Sequence, residues 1–111
     1  MKVLVAEKLA PEGIALLQED HEVDLRLGMS REEYLAALPE YDALLVRSGV
    51  KADAEAIAAG KRLVVIGRAG VGVDNIDIPA ATEAGITVVN APTGNTTAAA
   101  EHTIALLFAL S

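Results

Sequence analysis

The sequence predicts an α/β fold in which five short strands alternate with helices around one parallel sheet. Three observations carry this. Runs rich in Val, Leu and Ile recur at residues 3–6, 22–27, 43–46, 63–66 and 86–89. Stretches with helical periodicity and cap residues separate them. The connections are short throughout, with no linker and no low-complexity segment.

Val3, Leu4, Val5 and Ala6 form the first strand. Pro11 follows where a first helical turn accepts proline, because the missing N–H has no partner there anyway. Ile14, Leu16 and Leu17 give that helix an apolar face. Residues 22–27 alternate, with Val23, Leu25 and Leu27 on one side, which predicts a half-buried strand at a sheet edge. Ser30 followed by Glu33 is a capping box, and Tyr34, Leu35 and Leu38 form the apolar side of the helix it opens. Ala43, Leu44, Leu45 and Val46 are continuously apolar, as a central strand covered on both faces requires. Asp53 caps a short helix through Ala59, and Gly60 stops it. Residues 63–66 are the fourth strand. A helix over 78–84 starts near Pro79 and ends before Gly85, and residues 86–89 are the fifth strand. Asn95 or Thr96 opens a last helix through Leu110. The polar second strand belongs at an edge, with strands one, three and four in the middle. The prediction is a doubly wound, flavodoxin-like (βα)5 sheet in the order 2-1-3-4-5.

After its first turn the last helix is apolar almost all round, so it needs burial on more than one side. It also lacks a Gly, Lys or Pro stop signal before Ser111. Two readings stay open: a helix docked on its own sheet, or one that continues in a longer polypeptide.

Composition excludes several classes. A net charge of -7 argues against nucleic acid and anionic membranes as partners. There is no cysteine, hence no disulfide and no thiolate metal site. His21 and His102 stand too far apart in sequence to suggest a metal site, and both read as structural. The start, Met1-Lys2 leading into Val3-Leu4-Val5, is too short for a signal-peptide core. The longest apolar stretch, 103–110, falls well short of the ~20 residues of a membrane span. A cytoplasmic protein is expected.

The most informative stretch is 67–77, Gly67-Arg68-Ala69-Gly70-Val71-Gly72-Val73-Asp74-Asn75-Ile76-Asp77. Three glycines in six positions let a backbone turn sharply and approach a ligand, and the carboxyl end of a parallel strand is where open α/β sheets bind ligands. Residues 70–75 look like the dinucleotide fingerprint G-x-G-x-x-G, but Asn75 occupies the third glycine position and the loop follows the fourth strand, not the first. On residues alone a pyrophosphate loop, a plain turn and a small-anion or substrate loop remain open. Two other uses of such a sheet fit poorly. A phosphoacceptor receiver needs acidic residues after strand one, an Asp ending strand three and a Lys after strand five, where this chain has Glu7-Lys8, Arg47 and Ala91-Pro92. An FMN site needs a hydroxyl-rich loop after strand one, unlike Ala6-Glu7-Lys8-Leu9-Ala10.

The stretch 43–110 resembles the NAD-dependent D-2-hydroxyacid dehydrogenase family. The matching motifs are Leu45-Val46-Arg47-Ser48, the whole of 67–77, Ala80 through Pro92, and Gly94-Asn95-Thr96-Thr97-Ala98-Ala99-Ala100-Glu101-His102-Thr103. The weaker N-terminal part fits the same family's first domain, so the resemblance covers essentially the whole chain. Arg47 and Arg68 point to the phosphoglycerate branch, because a phosphorylated acid needs cationic donors that lactate or formate does not. The resemblance implies a parent enzyme that oxidises 3-phospho-D-glycerate to 3-phosphohydroxypyruvate with NAD, opening serine synthesis. The family has two α/β domains. The first binds substrate; the second carries the glycine fingerprint, the NAD site and the catalytic Arg, Glu and His.

On this reading residues 1–95 are the substrate-binding domain and 96–111 begin the interdomain helix, truncated and folded back as a fifth helix or shared in a homodimer. Light scattering separates monomer from dimer. Arg47 and Arg68 offer forked donors to carboxylate or phosphate, Ser48 adds a hydroxyl, and successive N–H groups at Ala69, Gly70 and Val71 can cradle a carboxylate. The family places the residue matching Val71 against the nicotinamide, and Asn95 at the hinge. The chain holds no catalytic residue; His102 matches a position in the connecting helix. The expected ligand is a small phosphorylated hydroxy acid, weakly held, with no tight NAD binding and no activity from the chain by itself. The alternatives are a fold-only flavodoxin-like module and another D-2-hydroxyacid dehydrogenase. Structural roles also compete residue by residue: Arg47 and Arg68 as surface arginines, Asp74 and Asp77 as turn or cap residues, Glu101 at the positive end of its helix.

Overall fold

The computed structural model describes residues 2–8, 11–19, 21–47, 49–69 and 75–91. Strands β1 (Lys2–Val5), β2 (Glu22–Leu25), β3 (Ala43–Val46), β4 (Val65–Ala69) and β5 (Thr87–Ala91) alternate with helices α1 (Pro11–Gln18), α2 (Arg31–Ala37), α3 (Ala54–Ala59) and α4 (Ile78–Glu83). All pairings are parallel and the order is β2-β1-β3-β4-β5, as the sequence predicts. The helix expected from Thr96 lies outside the described residues, as do His102 and Glu101. None of the described helices is long and apolar enough to cross a membrane.

Side-chain alternation along the strands builds two cores. On one face Leu4, Leu44, Val46 and Ile66 meet Tyr34, Ile57 and Ala81 from α2, α3 and α4. On the other, Val3, Val5, Ala43, Leu45 and Val65 meet Leu17 of α1. The four residues of β3 are buried on both faces, which explains their unbroken apolar run.

Local chemistry sets the helix starts. The Ser30 hydroxyl accepts from Glu33 N–H at 3.2 Å, and the Glu33 carboxylate accepts from Ser30 N–H at 3.1 Å. Asp53 accepts from Ala56 N–H and Asp77 from Ala80 N–H, both at 3.0 Å. Asp77 is therefore a cap, and Asp74 lies outside the described residues. Gly85 takes φ +76, the left-handed turn that ends α4. Gly60 has φ -81 instead, so it stops α3 without a left-handed turn.

Several strand boundaries differ from the sequence reading: β1 and β5 run over Lys2–Val5 and Thr87–Ala91 rather than 3–6 and 86–89, and β2 and β4 are offset as well. β2 ends at Leu25, opposite the last residue of β1, Val5. Leu25 and Leu27 are 49% and 50% exposed, and of the three expected apolar residues only Val23 packs on the core. An edge strand is held by one partner, and past that partner's end it has no ladder to join. β4 begins at Val65, two residues later than expected, and continues through Gly67, Arg68 and Ala69, which pair with β3 or β5. Gly67 is thus a buried strand residue rather than the start of a loop.

Several carboxylates tie elements together. Asp42 accepts from Lys2 N–H at 2.8 Å, and this bond, with the neighbouring Arg62 guanidinium, holds its carboxyl below the ordinary value. The Arg31 guanidinium does the same to Asp53, assisted by Ala56 N–H. Folding thus favours the ionised carboxylates. Their stabilisation is complete above the ordinary range near ~4 and is lost as pH falls through the lowered values. The melting temperature is expected to hold between about pH 7 and 5 and to drop below about pH 4. A flat profile down to about pH 3 contradicts this.

Candidate functional site

In an open sheet of this order, the chain leaves β1 toward one edge and β3 toward the other, opening a crevice at their carboxyl ends. A cleft of about 770 Å³ lies there. Glu7 and Lys8 from the end of β1, Arg31 and Tyr34 of α2, and Arg47 and Lys51 after β3 line it, with Met29 and Val50 supplying apolar wall. Four of the nine Lys and Arg residues line this cleft with one carboxylate, Glu7, in a chain of net charge -7, and of the four Arg31 is already paired with Asp53 and Glu55. The concentration of cations makes it suited to an anion.

Its walls are held by specific bonds. The Arg31 guanidinium pairs with Asp53 at 2.8 Å and Glu55 at 2.9 Å, and lies 6.0 Å from the centroid of the Tyr34 ring. Tyr34 is buried, its hydroxyl donates to Lys51 C=O at 3.0 Å, and burial pushes its ionisation well above the ordinary range. Tyr34 is therefore a neutral strut that fixes the backbone at Lys51. The Glu7 carboxylate accepts from Arg47 N–H and Val50 N–H. Asn75 donates to Arg47 C=O at 2.7 Å and to Val50 C=O at 2.6 Å. A parallel bridge between Ala52 and Ile76 secures the segment that carries Asn75. Arg47 Nη1 donates to Lys8 C=O at 3.3 Å.

The sequence-predicted residues fall as follows. Arg47 is half-buried in the wall of the cleft. Arg68 does not line the cleft. It sits opposite Val46 across the β3–β4 ladder, one position before Arg47 in register, and is only 8% exposed. Its Nε and Nη1 are buried with no hydrogen-bond partner among the described residues. Ala69 ends β4, opposite Ala91. Ser48, Gly70 and Val71 lie outside the described residues. Glu7, Asn75, Tyr34 and Lys51 were not singled out for the site by sequence reasoning. No local sequence signal marks them; in the structure Gly49 leaves Glu7 its room, since a Cβ there would stand 2.5 Å from Glu7 Oε1.

These residues do not fit a dinucleotide pyrophosphate. The third fingerprint position is occupied by Asn75, whose side chain is committed to two carbonyls, and the helix after it, α4, is capped by its own Asp77. Among the described residues no cluster of His, Cys, Asp and Glu is arranged for a metal.

The family model for the D-isomer specific 2-hydroxyacid dehydrogenase catalytic domain matches residues 3–109. The chain is 58% identical over 110 residues to a D-3-phosphoglycerate dehydrogenase of Archaeoglobus fulgidus, covering 98% of this chain and 21% of that protein. It is 52% identical to the enzyme of the same name from Synechocystis, covering 99% of this chain and 20% of that one. A crystal structure of NAD+-bound 3-phosphoglycerate dehydrogenase from Entamoeba histolytica superimposes with a TM-score of 0.73 at 34% identity, covering 83% of this chain and 33% of that one. The chain thus spans about a fifth of the length of the curated relatives it matches.

Proposed function

Because the chain belongs to the D-isomer specific 2-hydroxyacid dehydrogenase family, we propose that it forms the substrate-binding wall of a D-3-phosphoglycerate dehydrogenase. The observation that carries this is Arg68. An arginine this deeply buried, with two guanidinium nitrogens unpaired among the described residues, is costly unless an anion meets it. Arg47 follows Val46, the ladder partner of Arg68, so two arginines stand at adjacent ends of neighbouring strands, a pairing suited to a ligand with two anionic ends. A phosphorylated hydroxy acid has this form: a carboxylate, a hydroxyl between, and a phosphate.

The division of labour follows from the same residues. Arg47 and Arg68 bind and orient, Ser48 adds a hydroxyl, and the amides at Ala69, Gly70 and Val71 receive the carboxylate. NAD and the proton-transferring residues belong to a second domain facing this one, so the chain alone is expected to produce no NADH from phosphoglycerate and NAD. Within the chain, 1–95 is the binding unit and 96–111 leads toward that second domain.

Calorimetric titration tests the reading. The chain is expected to bind 3-phospho-D-glycerate weakly, with Kd of the order of millimolar, since one wall offers half the contacts of a closed cleft. D-glycerate, without the phosphate, is expected to bind at least about tenfold more weakly. Equal affinity for the two overturns the phosphorylated-substrate reading and favours another 2-hydroxy acid.

A further inference from the structure

We propose that Glu7 and Asn75 are positioning residues that clamp the turn after β3 from both sides and so aim Arg47 at the substrate; this rests on the substrate reading of Arg47. Beyond Val46 the β3 backbone has left the sheet, and its N–H and C=O groups need partners from elsewhere. The two side chains supply them at the same two residues. Glu7, past the end of β1, takes the N–H groups of Arg47 and Val50. Asn75, past the end of β4, takes their carbonyls at 2.7 and 2.6 Å.

β1 and β4 are the strands that flank β3, so the clamp grips from both neighbours. The Asn75 segment is fixed in turn, because Ala52 N–H donates to Asn75 C=O at 2.8 Å and Asp77 N–H to Ala52 C=O at 2.9 Å. Gly49 gives Glu7 the room to reach in, since a Cβ there would meet Oε1.

The chemistry of Glu7 is what separates positioning from packing. A carboxylate lining a cleft that receives a polyanion opposes binding by its charge. It is useful there only if holding Arg47 in place contributes more than the repulsion costs. Glu7→Gln therefore gives opposite signs for two roles. Removing a merely repulsive charge tightens anion binding. Exchanging one of the two oxygens that each accept an N–H for an NH2 sets a donor against that N–H, frees the turn and weakens binding.

The test is titration of the 111-residue chain with 3-phospho-D-glycerate, paired with amide hydrogen exchange. Glu7→Gln and Asn75→Ala are each expected to weaken binding about tenfold and to speed exchange at the Arg47 and Val50 amides. Exchange at Leu4 and Leu44 in the core is expected to stay unchanged. Tighter or unaltered binding by Glu7→Gln, with Arg47→Ala still abolishing binding, overturns the clamp and leaves the substrate reading standing. Faster exchange without weaker binding shows a structural tether and also overturns it. If Glu7→Gln does not fold, Asn75→Ala decides by the same two readouts. A folded parent chain that binds no phosphoglycerate overturns the substrate reading and, with it, the clamp's role.

Discussion

Arg68→Met is expected to abolish binding of 3-phospho-D-glycerate while raising the melting temperature. Both effects come from the same burial. The Arg68 side chain is 8% exposed on the face of β4 that packs against α2, α3 and α4, and its Nε and Nη1 have no partner among the described residues. Replacing a buried charge with a methionine of similar length removes the desolvation cost and keeps the apolar stem, which favours folding. Each charged hydrogen bond lost to the ligand weakens binding by about 1.5–3 kcal/mol, so losing two lowers affinity at least ~100-fold. Opposite movement of stability and affinity marks a residue retained for function. A variant that unfolds, or that binds as before, shows Arg68 to be structural.

The second large effect is at the centre of the sheet. Leu44→Ala is expected to destabilise the fold by about 2–5 kcal/mol. Leu44 is fully buried in β3, flanked by Leu4 and Ile66 of the neighbouring strands, so a cavity there cannot collapse easily. Domains of this size hold only about 5–15 kcal/mol in total, and much of the population is expected to lose its cooperative urea transition. Val64→Ala is the control. Val64 is 50% exposed just before β4 and is expected to shift stability by about 0.5 kcal/mol or less. Equal losses for the two contradict the assignment of the core.

The topology was legible because its signals are strong and local. The unbroken apolar run of residues 43–46 marked a strand covered on both faces, and the alternation around Val23 marked an edge. Ser30 and Glu33 find each other three residues apart, so their capping box needs no tertiary information. Strand ends were less legible. Leu63 and Val64 look more strand-like than Gly67 and Ala69, yet it is the latter that pair within β4 with β3 or β5. That choice is made across the sheet, not along the chain.

The candidate site divides the same way. Arg47 could be placed at a strand end from its apolar neighbours, and the structure puts it in a cleft wall. The burial of Arg68 was not readable, since a charged residue beside glycines suggests an exposed loop. Glu7 and Asn75 were invisible as partners because each meets the turn after β3 across 40 and 28 residues of chain respectively. Asn75 even read as a defect in a nucleotide fingerprint. Its side-chain Nδ2 instead donates to two carbonyls, which glycine cannot do.

The central claim is that this chain supplies the phosphoglycerate-binding wall. A chimera tests it most directly: the chain replaces the matching segment of the Archaeoglobus fulgidus enzyme, to which it is 58% identical over 110 residues. NADH formation from 3-phospho-D-glycerate is measured alongside NAD binding and thermal unfolding. The account predicts turnover by the chimera, and a loss of kcat/KM of at least ~100-fold with Arg68→Met while NAD affinity is unchanged. A folded, NAD-binding chimera that does not oxidise phosphoglycerate, or whose turnover is indifferent to Arg68, would contradict it.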